Sequence, residues 1–256
     1  MSETMLSGKV TGVNGNMVSV AFDECVIQNE VAYVITADGD RLKSEVIRVR
    51  GREADLQVFE NTNGVKVGDG VEFSGELLSV ELGPGLLTQV YDGLQNPLPE
   101  LAEKAGNFLK RGLYIYPLDR EKQWEFTPTV EVGAVLQAGA QIGTVPEGIF
   151  KHKIMLPFAW QGEWTLSWVI EAGSYTIDTV VAKAGNGQEE REIRMVQTWP
   201  VKVPISCYQE KLLPVDPLVT QVRVIDTFFP VAKGGSFCTP GPFGAGKTVL
   251  QHALSQ

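Results

Sequence analysis

Six short runs of alternating apolar and polar residues, separated by turns rich in glycine and asparagine, fill the first eighty residues of this 256-residue chain. Alternation with a period of two predicts strands that bury one face. Six such strands in close succession favour a small closed β-barrel, because closure leaves no strand edge unpaired. The predicted strands cover residues 9–13, 17–22, 31–36, 41–50, 55–59 and 71–78.

A connecting segment with one helix follows the predicted barrel. Gly83, Pro84 and Gly85 break the strand pattern, and residues 98–110 then show helical spacing. Pro99 suits the first turn of that helix, where a backbone N–H has no partner inside the helix. We therefore expect residues 81–112 to be a connector.

Residues 113–194 return to β character, with many valines, threonines and glycines. This stretch predicts a second β module. Four tryptophans are concentrated in it, and we expect them to be core residues rather than ligand-stacking residues. They are Trp124, Trp160, Trp164 and Trp168.

Composition excludes several classes of protein. The chain is 43% hydrophobic and carries a formal net charge of -9, which is typical of a globular protein and argues against nucleic acid as a partner. Cys25, Cys207 and Cys238 lack metal-ligand spacing, so we predict buried structural thiols rather than a zinc site or a disulfide framework. No signal peptide or stretch of eighteen apolar residues is present in the sequence, which predicts a soluble chain.

The histidines and the acidic run 189–192 do not suggest a catalytic site. His152 and His252 lie a hundred residues apart without a carboxylate or cysteine at ligand spacing, so we expect them to be solvated or locally hydrogen-bonded. Residues 189–192 follow Gly187 closely, and a solvated hairpin tip or strand end explains them best.

The strongest motif lies near the end of the sequence and fits the phosphate-loop pattern G-x-x-x-x-G-K-[ST]. Residues 236–239 predict a strand before it, and residues 247–254 predict a helix after it. In such a loop, backbone N–H groups and the positive end of the helix face a phosphate. The candidate nucleotide-binding residues are Gly241, Pro242, Phe243, Gly244, Ala245, Gly246, Lys247, Thr248 and Val249.

Two residues of the motif have distinct predicted roles. Lys247 is the candidate catalytic residue, because its ammonium would reach the β- and γ-phosphates of ATP or ADP. Thr248 is the candidate metal ligand, because its hydroxyl would bind the Mg²⁺ that accompanies the nucleotide. Upstream, residues 223–229 predict a short helix ended by Pro230.

The loop and the segment before it closely resemble the catalytic A subunit of vacuolar and archaeal-type rotary ATPases. The resemblance rests on the segment 217–235, on the loop filling Pro242-Phe243-Gly244-Ala245, on residues 7–13 and on residues 89–98. The β subunit of the F-type enzyme has a different loop filling and lacks a domain similar to residues 113–194. The noncatalytic B subunit of the vacuolar type lacks the lysine-bearing loop.

The resemblance implies a mainly β fold with four parts. Residues 1–80 form the barrel, 81–112 the connector, 113–194 an inserted β-rich bulge domain, and 195–256 the beginning of a P-loop α/β nucleotide-binding domain. A complete A subunit continues further, so we expect this chain to be an N-terminal fragment with a truncated ATPase core. By itself it is expected to bind ATP weakly and not to hydrolyse it.

The resemblance also implies the activity and the partners. The full subunit would couple ATP hydrolysis or synthesis to rotation and to H⁺ or Na⁺ transport, with water attacking the γ-phosphate in line. It would alternate with B subunits in a ring, contact the stalk subunits and lie at the cytoplasmic face of a membrane that it touches only through other subunits.

Two other hypotheses remain open at this point. The chain could be a noncatalytic assembly module whose phosphate loop is a passive tail. It could also belong to a ring-forming, helicase-like ATPase with an N-terminal barrel, although the acidic charge and the segment 113–194 argue against this.

Overall fold

The computed structural model describes residues 6–23, 25–87, 89–106, 108–208, 210 and 212–255 of the chain. It divides into two compact units, one up to Cys207 and one from Tyr208 onward. The first unit holds most of the strands, and the mainly β prediction is confirmed. The boundaries of the four predicted parts remain predictions. Residues 1–5, at the start of the first part, and residue 256, at the end of the last, lie outside the described residues.

The predicted barrel is confirmed as a closed, antiparallel six-stranded barrel with strand order β1-β2-β5-β4-β3-β6. Each observed strand overlaps a predicted one and differs from it by at most three residues at either end. The strands are β1 (Leu6–Asn14), β2 (Met17–Phe22), β3 (Glu30–Ile35), β4 (Arg41–Arg50), β5 (Glu53–Val58) and β6 (Gly70–Leu77).

The barrel interior is filled by the inward-facing members of the alternating runs. In β2, for example, Val18, Val20 and Phe22 are buried while their neighbours are partly exposed. Phe22 meets Phe73 edge to face, with ring centroids 5.8 Å apart. Gly8 lies against this cluster, and a Cβ there would come within 2.8 Å of Val20 Cγ1, so only glycine fits.

The connector contains β7 (Ser79–Leu82) and α1 (Leu98–Ala105). Pro99 lies in the first turn of α1, as predicted. The helix does not continue to residue 110, however. Gly106 has a φ of 74° and ends the helix at Ala105, because glycine adopts this left-handed region without steric cost.

Polar contacts hold the end of the connector against the barrel. The Tyr114 hydroxyl donates a hydrogen bond to Glu60 Oε1 at 2.8 Å and accepts one from the Lys43 backbone N–H at 2.7 Å. Glu60 Oε2 accepts the Gly112 N–H at 2.8 Å, and Arg111 pairs with Asp40 at 2.7 Å. Burial, and then the hydrogen bond to Glu60, raise the pKa of Tyr114, so its hydroxyl stays protonated and can donate.

Replacing Tyr114 with phenylalanine should therefore destabilise the first unit. The change removes the donor to Glu60 Oε1 and the acceptor of the Lys43 N–H, which costs about 1–3 kcal/mol. Urea unfolding measures this loss, and Tyr116→Phe is the control because Tyr116 is 72% exposed. Equal stability of the two variants would contradict the proposed importance of these hydrogen bonds.

The predicted second β module is confirmed as two four-stranded antiparallel sheets, ordered β11-β10-β8-β13 and β15-β14-β12-β9. A further strand, β16 (Gln197–Pro200), returns to pair with β7. The eight strands of the two sheets are β8 (Trp124–Pro128), β9 (Val135–Leu136), β10 (Gln141–Glu147), β11 (Phe150–Met155), β12 (Trp164–Val169), β13 (Gly173–Tyr175), β14 (Val180–Gly185) and β15 (Glu190–Arg194).

Three of the four tryptophans are buried between these sheets, as predicted: Trp124, Trp160 and Trp164. The prediction is wrong for Trp168, which is 41% exposed. Strict alternation from Trp164 would point Trp168 inward. A β-bulge between Leu166 and Trp168 breaks that alternation and turns the ring outward.

The second unit contains α2 (Arg223–Phe228), α3 (Lys247–Leu254) and a two-stranded ladder of β17 (Pro217–Leu218) and β18 (Val231–Ala232). The helices predicted at 223–229 and 247–254 are confirmed within one residue. The strand predicted at 236–239 is wrong, because these residues form no strand in the structure. Their backbone groups pair with no neighbouring strand in the part of the chain that is described.

Candidate functional site

The predicted phosphate loop forms a turn that leads directly into α3. Gly244 has a φ of 80°, and Gly246 has a φ of 77° and is the residue from which α3 begins. Both values lie in the left-handed region, where glycine is favoured. The Ala245 N–H donates to the Pro242 carbonyl at 3.3 Å, which closes the turn.

The lysine of the motif contacts the first residue of its own loop. Lys247 Nζ donates to the Gly241 carbonyl oxygen at 2.6 Å. A Cβ on Gly241 would come within 3.2 Å of Ala245 Cβ and 3.8 Å of the Lys247 side chain, so glycine permits this close approach. The structure thus brings the two ends of the eight-residue motif together.

The candidate site residues from Gly241 to Val249 are all exposed. Phe243 is fully exposed, and α3 contributes no buried side chain. The Thr248 hydroxyl lies in the first turn of α3, next to Lys247. Its oxygen is available as a metal ligand beside the helix N-terminus. An eight-residue helix has free N–H groups in its first turn, so the loop can accept an anion.

The segment before the loop holds a carboxylate whose structural role the sequence did not reveal. Asp226 Oδ1 accepts hydrogen bonds from the Thr220 hydroxyl at 2.6 Å and the Thr220 N–H at 3.0 Å, while Oδ2 accepts the Gln221 N–H at 3.1 Å. Gln221 has a φ of 62°, so the carboxylate stabilises a tight turn before α2. The sequence signal for this turn was the Thr-x₅-Asp spacing of Thr220 and Asp226.

These hydrogen bonds, the Thr220 hydroxyl first, lower the pKa of Asp226. The stabilisation is therefore present above the unfolded-state pKa, about 3.9, and is lost as pH falls through the lower folded-state pKa. We expect the amide proton resonances of Thr220 and Gln221 to titrate together with a midpoint below that value. The Asp226→Asn variant should show no such titration, and a midpoint at or above the ordinary value would contradict the assignment.

The cysteines differ from the prediction. Cys25 and Cys238 are exposed and Cys207 is partly exposed, so they are not buried structural thiols. The reason is that each lies outside the strands and helices, in segments that present only part of their side chains to a core. Within the described ranges, no group of three His, Cys, Asp or Glu residues could hold a metal ion.

His152 is locally hydrogen-bonded, as predicted, and its partner is a buried carboxylate. His152 Nδ1 lies 2.8 Å from Glu147 Oε2, whereas Glu147 Oε1 accepts the Gly85 and Leu87 N–H groups at 2.7 and 3.0 Å. Glu147 thereby ties the β10–β11 hairpin to the connector. The acidic run 189–192 begins at a turn and continues in the edge strand β15, as expected of a solvated strand end.

None of the helices that the structure describes is both long enough and apolar enough to be a membrane-crossing segment.

Two parts of the chain match domains of one protein family. Residues 10–75 match the beta-barrel domain of the ATP synthase alpha/beta family, and residues 115–202 match the barrel-sandwich domain of the ATP synthase alpha/beta subunit. These segments coincide with the barrel and with the two-sheet module. The chain therefore belongs to the ATP synthase alpha/beta family.

Within this family, the chain is similar to V-type ATP synthase alpha chains, which confirms the resemblance stated above. It is 58% identical over 254 residues to alpha chain 1 of Treponema pallidum, and 57% identical over 257 residues to the alpha chain of Treponema denticola. Both matches cover 99% of this chain. A third, from Borreliella burgdorferi, is 55% identical over 250 residues and covers 97% of this chain. The chain spans 43% of the length of each of these relatives.

Proposed function

We propose that the chain supplies the phosphate-binding loop of the catalytic subunit of a V/A-type rotary ATPase or ATP synthase. The observation that carries this proposal is the geometry of residues 241–248, in which two left-handed glycines precede a helix that begins with Lys247 and Thr248. The names of the related alpha chains support the same assignment. The subunit would couple ATP hydrolysis or synthesis to rotation and to the transport of H⁺ or Na⁺.

In this proposal the loop binds the phosphates of ATP or ADP through three kinds of group. Backbone N–H groups between Gly241 and Val249 surround the β-phosphate, and the N-terminus of α3 adds its partial positive charge. The Lys247 ammonium binds the β- and γ-phosphate oxygens. It must first leave the Gly241 carbonyl, and the phosphate oxygens then replace that carbonyl as acceptor.

Thr248 would hold Mg²⁺ together with the nucleotide. A single hydroxyl ligand fits this ion, because Mg²⁺ keeps most of its waters and uses one or two protein oxygens plus phosphate oxygens. When bound, the ion would neutralise charge on the β- and γ-phosphates. Lys247 and the loop N–H groups stabilise the remaining charge that develops during γ-phosphoryl transfer.

The proposal includes the setting of the subunit. It would alternate with B subunits in a ring, contact central and peripheral stalk subunits, and lie on the cytoplasmic side of the membrane without entering it. The related proteins' names as V-type ATP synthase chains support a multi-subunit assembly, and the net charge of -9 disfavours nucleic acid as an alternative partner.

One observation favours a second function, that of a noncatalytic assembly module. The loop is exposed and α3 buries no side chain, as expected of a passive tail. Hydrolysis of ATP by the assembled complex carrying Lys247→Ala separates the two functions, since only the catalytic role requires the ammonium.

A further inference from the structure

A groove of about 760 Å³ is lined by residues of the first unit. It lies between the segment that follows β7, the start of α1 and the tip of the β10–β11 hairpin. We call it the aromatic groove. Its apolar lining consists mainly of Tyr91, Pro117, Trp124, Pro146, Ile149 and Phe150.

The walls of the aromatic groove are preformed yet exposed. The Tyr91 hydroxyl donates to the Pro117 carbonyl at 2.9 Å, which fixes one wall. The opposite wall is the hairpin tip, which Glu147 ties to Gly85 and Leu87. On that tip Ile149 is 93% exposed and Phe150 is 58% exposed. Large apolar side chains exposed on a fixed hairpin are typical of an interaction surface.

Trp124 provides a second, independent indication of a ligand. The residue is only 6% exposed, and its indole Nε1 is a buried donor without a hydrogen-bond partner among the described residues. Buried donors without an acceptor are rare in native proteins. The Lys122 ammonium lies over the indole ring, 4.2 Å from its centroid, and so occupies the aromatic face in the free chain.

The rim of the aromatic groove is acidic. Glu100, Asp119 and Glu125 line it, against one cation, Lys122. The Tyr91 side chain in the groove wall lies in this negative electrostatic potential. Its pKa is raised first by burial and then by the Glu100 and Glu147 carboxylates. Such a rim repels phosphate groups and attracts lysine or arginine.

We propose that the aromatic groove binds an extended, proline-containing segment of a partner protein, flanked by lysine or arginine residues. Proline rings pack on Tyr, Trp and Phe side chains, and the polyproline II backbone leaves its carbonyl oxygens unpaired. Nε1 is fully covered in the free chain, so one of those carbonyls accepts the Trp124 indole N–H only once Lys122 has left the ring. A helical partner could not do so along its length, because its carbonyls are already bonded within the helix.

Binding in this mode requires Lys122 to leave the indole face. A proline ring takes its place, and the displaced ammonium moves toward the acidic rim. Lys122 therefore competes with the ligand. The Lys122→Ala variant should bind the proline-containing segment more tightly than the wild-type chain, because the indole face is already free. A partner recognised only by charge attraction to the rim would also bind the variant more tightly, but only because the rim becomes more negative.

The test uses the ¹⁵N-labelled 256-residue chain and a synthetic decapeptide in which proline and leucine alternate between paired lysines at each end. The chain has five tryptophans, so its spectrum contains five indole N–H signals. Trp124→Phe assigns one of them by its disappearance. We expect that signal to shift in a saturable manner, and the Trp124→Phe variant to bind roughly fivefold to tenfold more weakly, as loss of one hydrogen bond implies.

Surface variants keep the test valid even where Trp124→Phe perturbs the fold. Glu100→Gln should weaken binding at low salt, while Glu103→Gln on the same helix but outside the groove should not. Lys122→Ala should strengthen it. The proposal is overturned by the absence of an indole shift at millimolar peptide, by equal binding of a peptide with alanine in place of proline, or by equal binding of a peptide with glutamate in place of lysine.

Discussion

Replacing Lys247 with alanine is expected to lower ATP hydrolysis by the assembled complex more than about 100-fold. Lys247 carries the one side-chain positive charge between Gly241 and Thr248, and its contact with the Gly241 carbonyl shows that it reaches across the whole motif. Charge on the transferring phosphoryl group rises in the transition state, so a missing cation raises the barrier more than it weakens ground-state binding.

A matched lysine controls this experiment. Lys233 lies in the same unit but outside the loop, and it contacts Asp216 through its backbone N–H. Lys233→Ala should change hydrolysis by less than about twofold, as expected of a surface substitution. Unfolding of the β domains should not change in either variant. Full activity of the Lys247→Ala complex would reject the catalytic role and favour the passive assembly module.

The second large effect concerns the core between the two sheets. Phe126, on β8, is 1% exposed, and replacing it with alanine should destabilise the first unit by about 3–5 kcal/mol through lost burial and the cavity left behind. Urea unfolding with tryptophan fluorescence measures this loss. Phe108→Ala is the control, because Phe108 is 84% exposed and its removal should change stability by less than about 0.5 kcal/mol.

A double-mutant cycle tests the packing more closely. A Cβ on Gly143 would lie 2.3 Å from Phe126 Cε2, so Gly143→Ala in the wild-type background should cost about 1–3 kcal/mol. In the Phe126→Ala background that cost should shrink, because the clash with the ring is gone while the clash with the Thr127 carbonyl at 2.8 Å remains. Additive losses would show that the ring and the glycine do not pack as described.

The strands of the barrel could be predicted from local alternation, since a period of two directly reports which side chains face inward. Helix α3 could be predicted as well, because Gly246 and the apolar spacing mark its start and its length. The end of α1 could not be placed from spacing alone. Its apolar pattern continues beyond Ala105, but the conformation of Gly106 stops the helix.

The errors share a physical cause. Trp168 was expected in the core because large aromatic side chains are usually buried, and the β-bulge that turns its ring outward depends on pairing with β14. The strand predicted at residues 236–239 failed because a strand needs a neighbour to satisfy its backbone groups. Both outcomes depend on residues distant in the sequence.

The sequence motif proposes the residues of the candidate site, which stay a prediction, but it gives no information on their contacts. The motif named Gly241 to Thr248 because its spacing is fixed by phosphate chemistry. It could not show that Lys247 binds the Gly241 carbonyl, or that Asp226 accepts three hydrogen bonds before α2.

The sequence by itself determined the six-stranded barrel and the β-rich second module, because both depend on short-range periodicity. The family followed from the resemblance of its segments to a known subunit, and the fixed spacing of the loop motif named the candidate phosphate-binding residues. Only the tertiary structure decided which groups meet across large sequence separations. Trp124, Tyr91 and the hairpin tip form the aromatic groove, and Glu147 reaches Gly85, through chain topology alone. Local patterns carry no information on such contacts, since they arise when distant segments pack together.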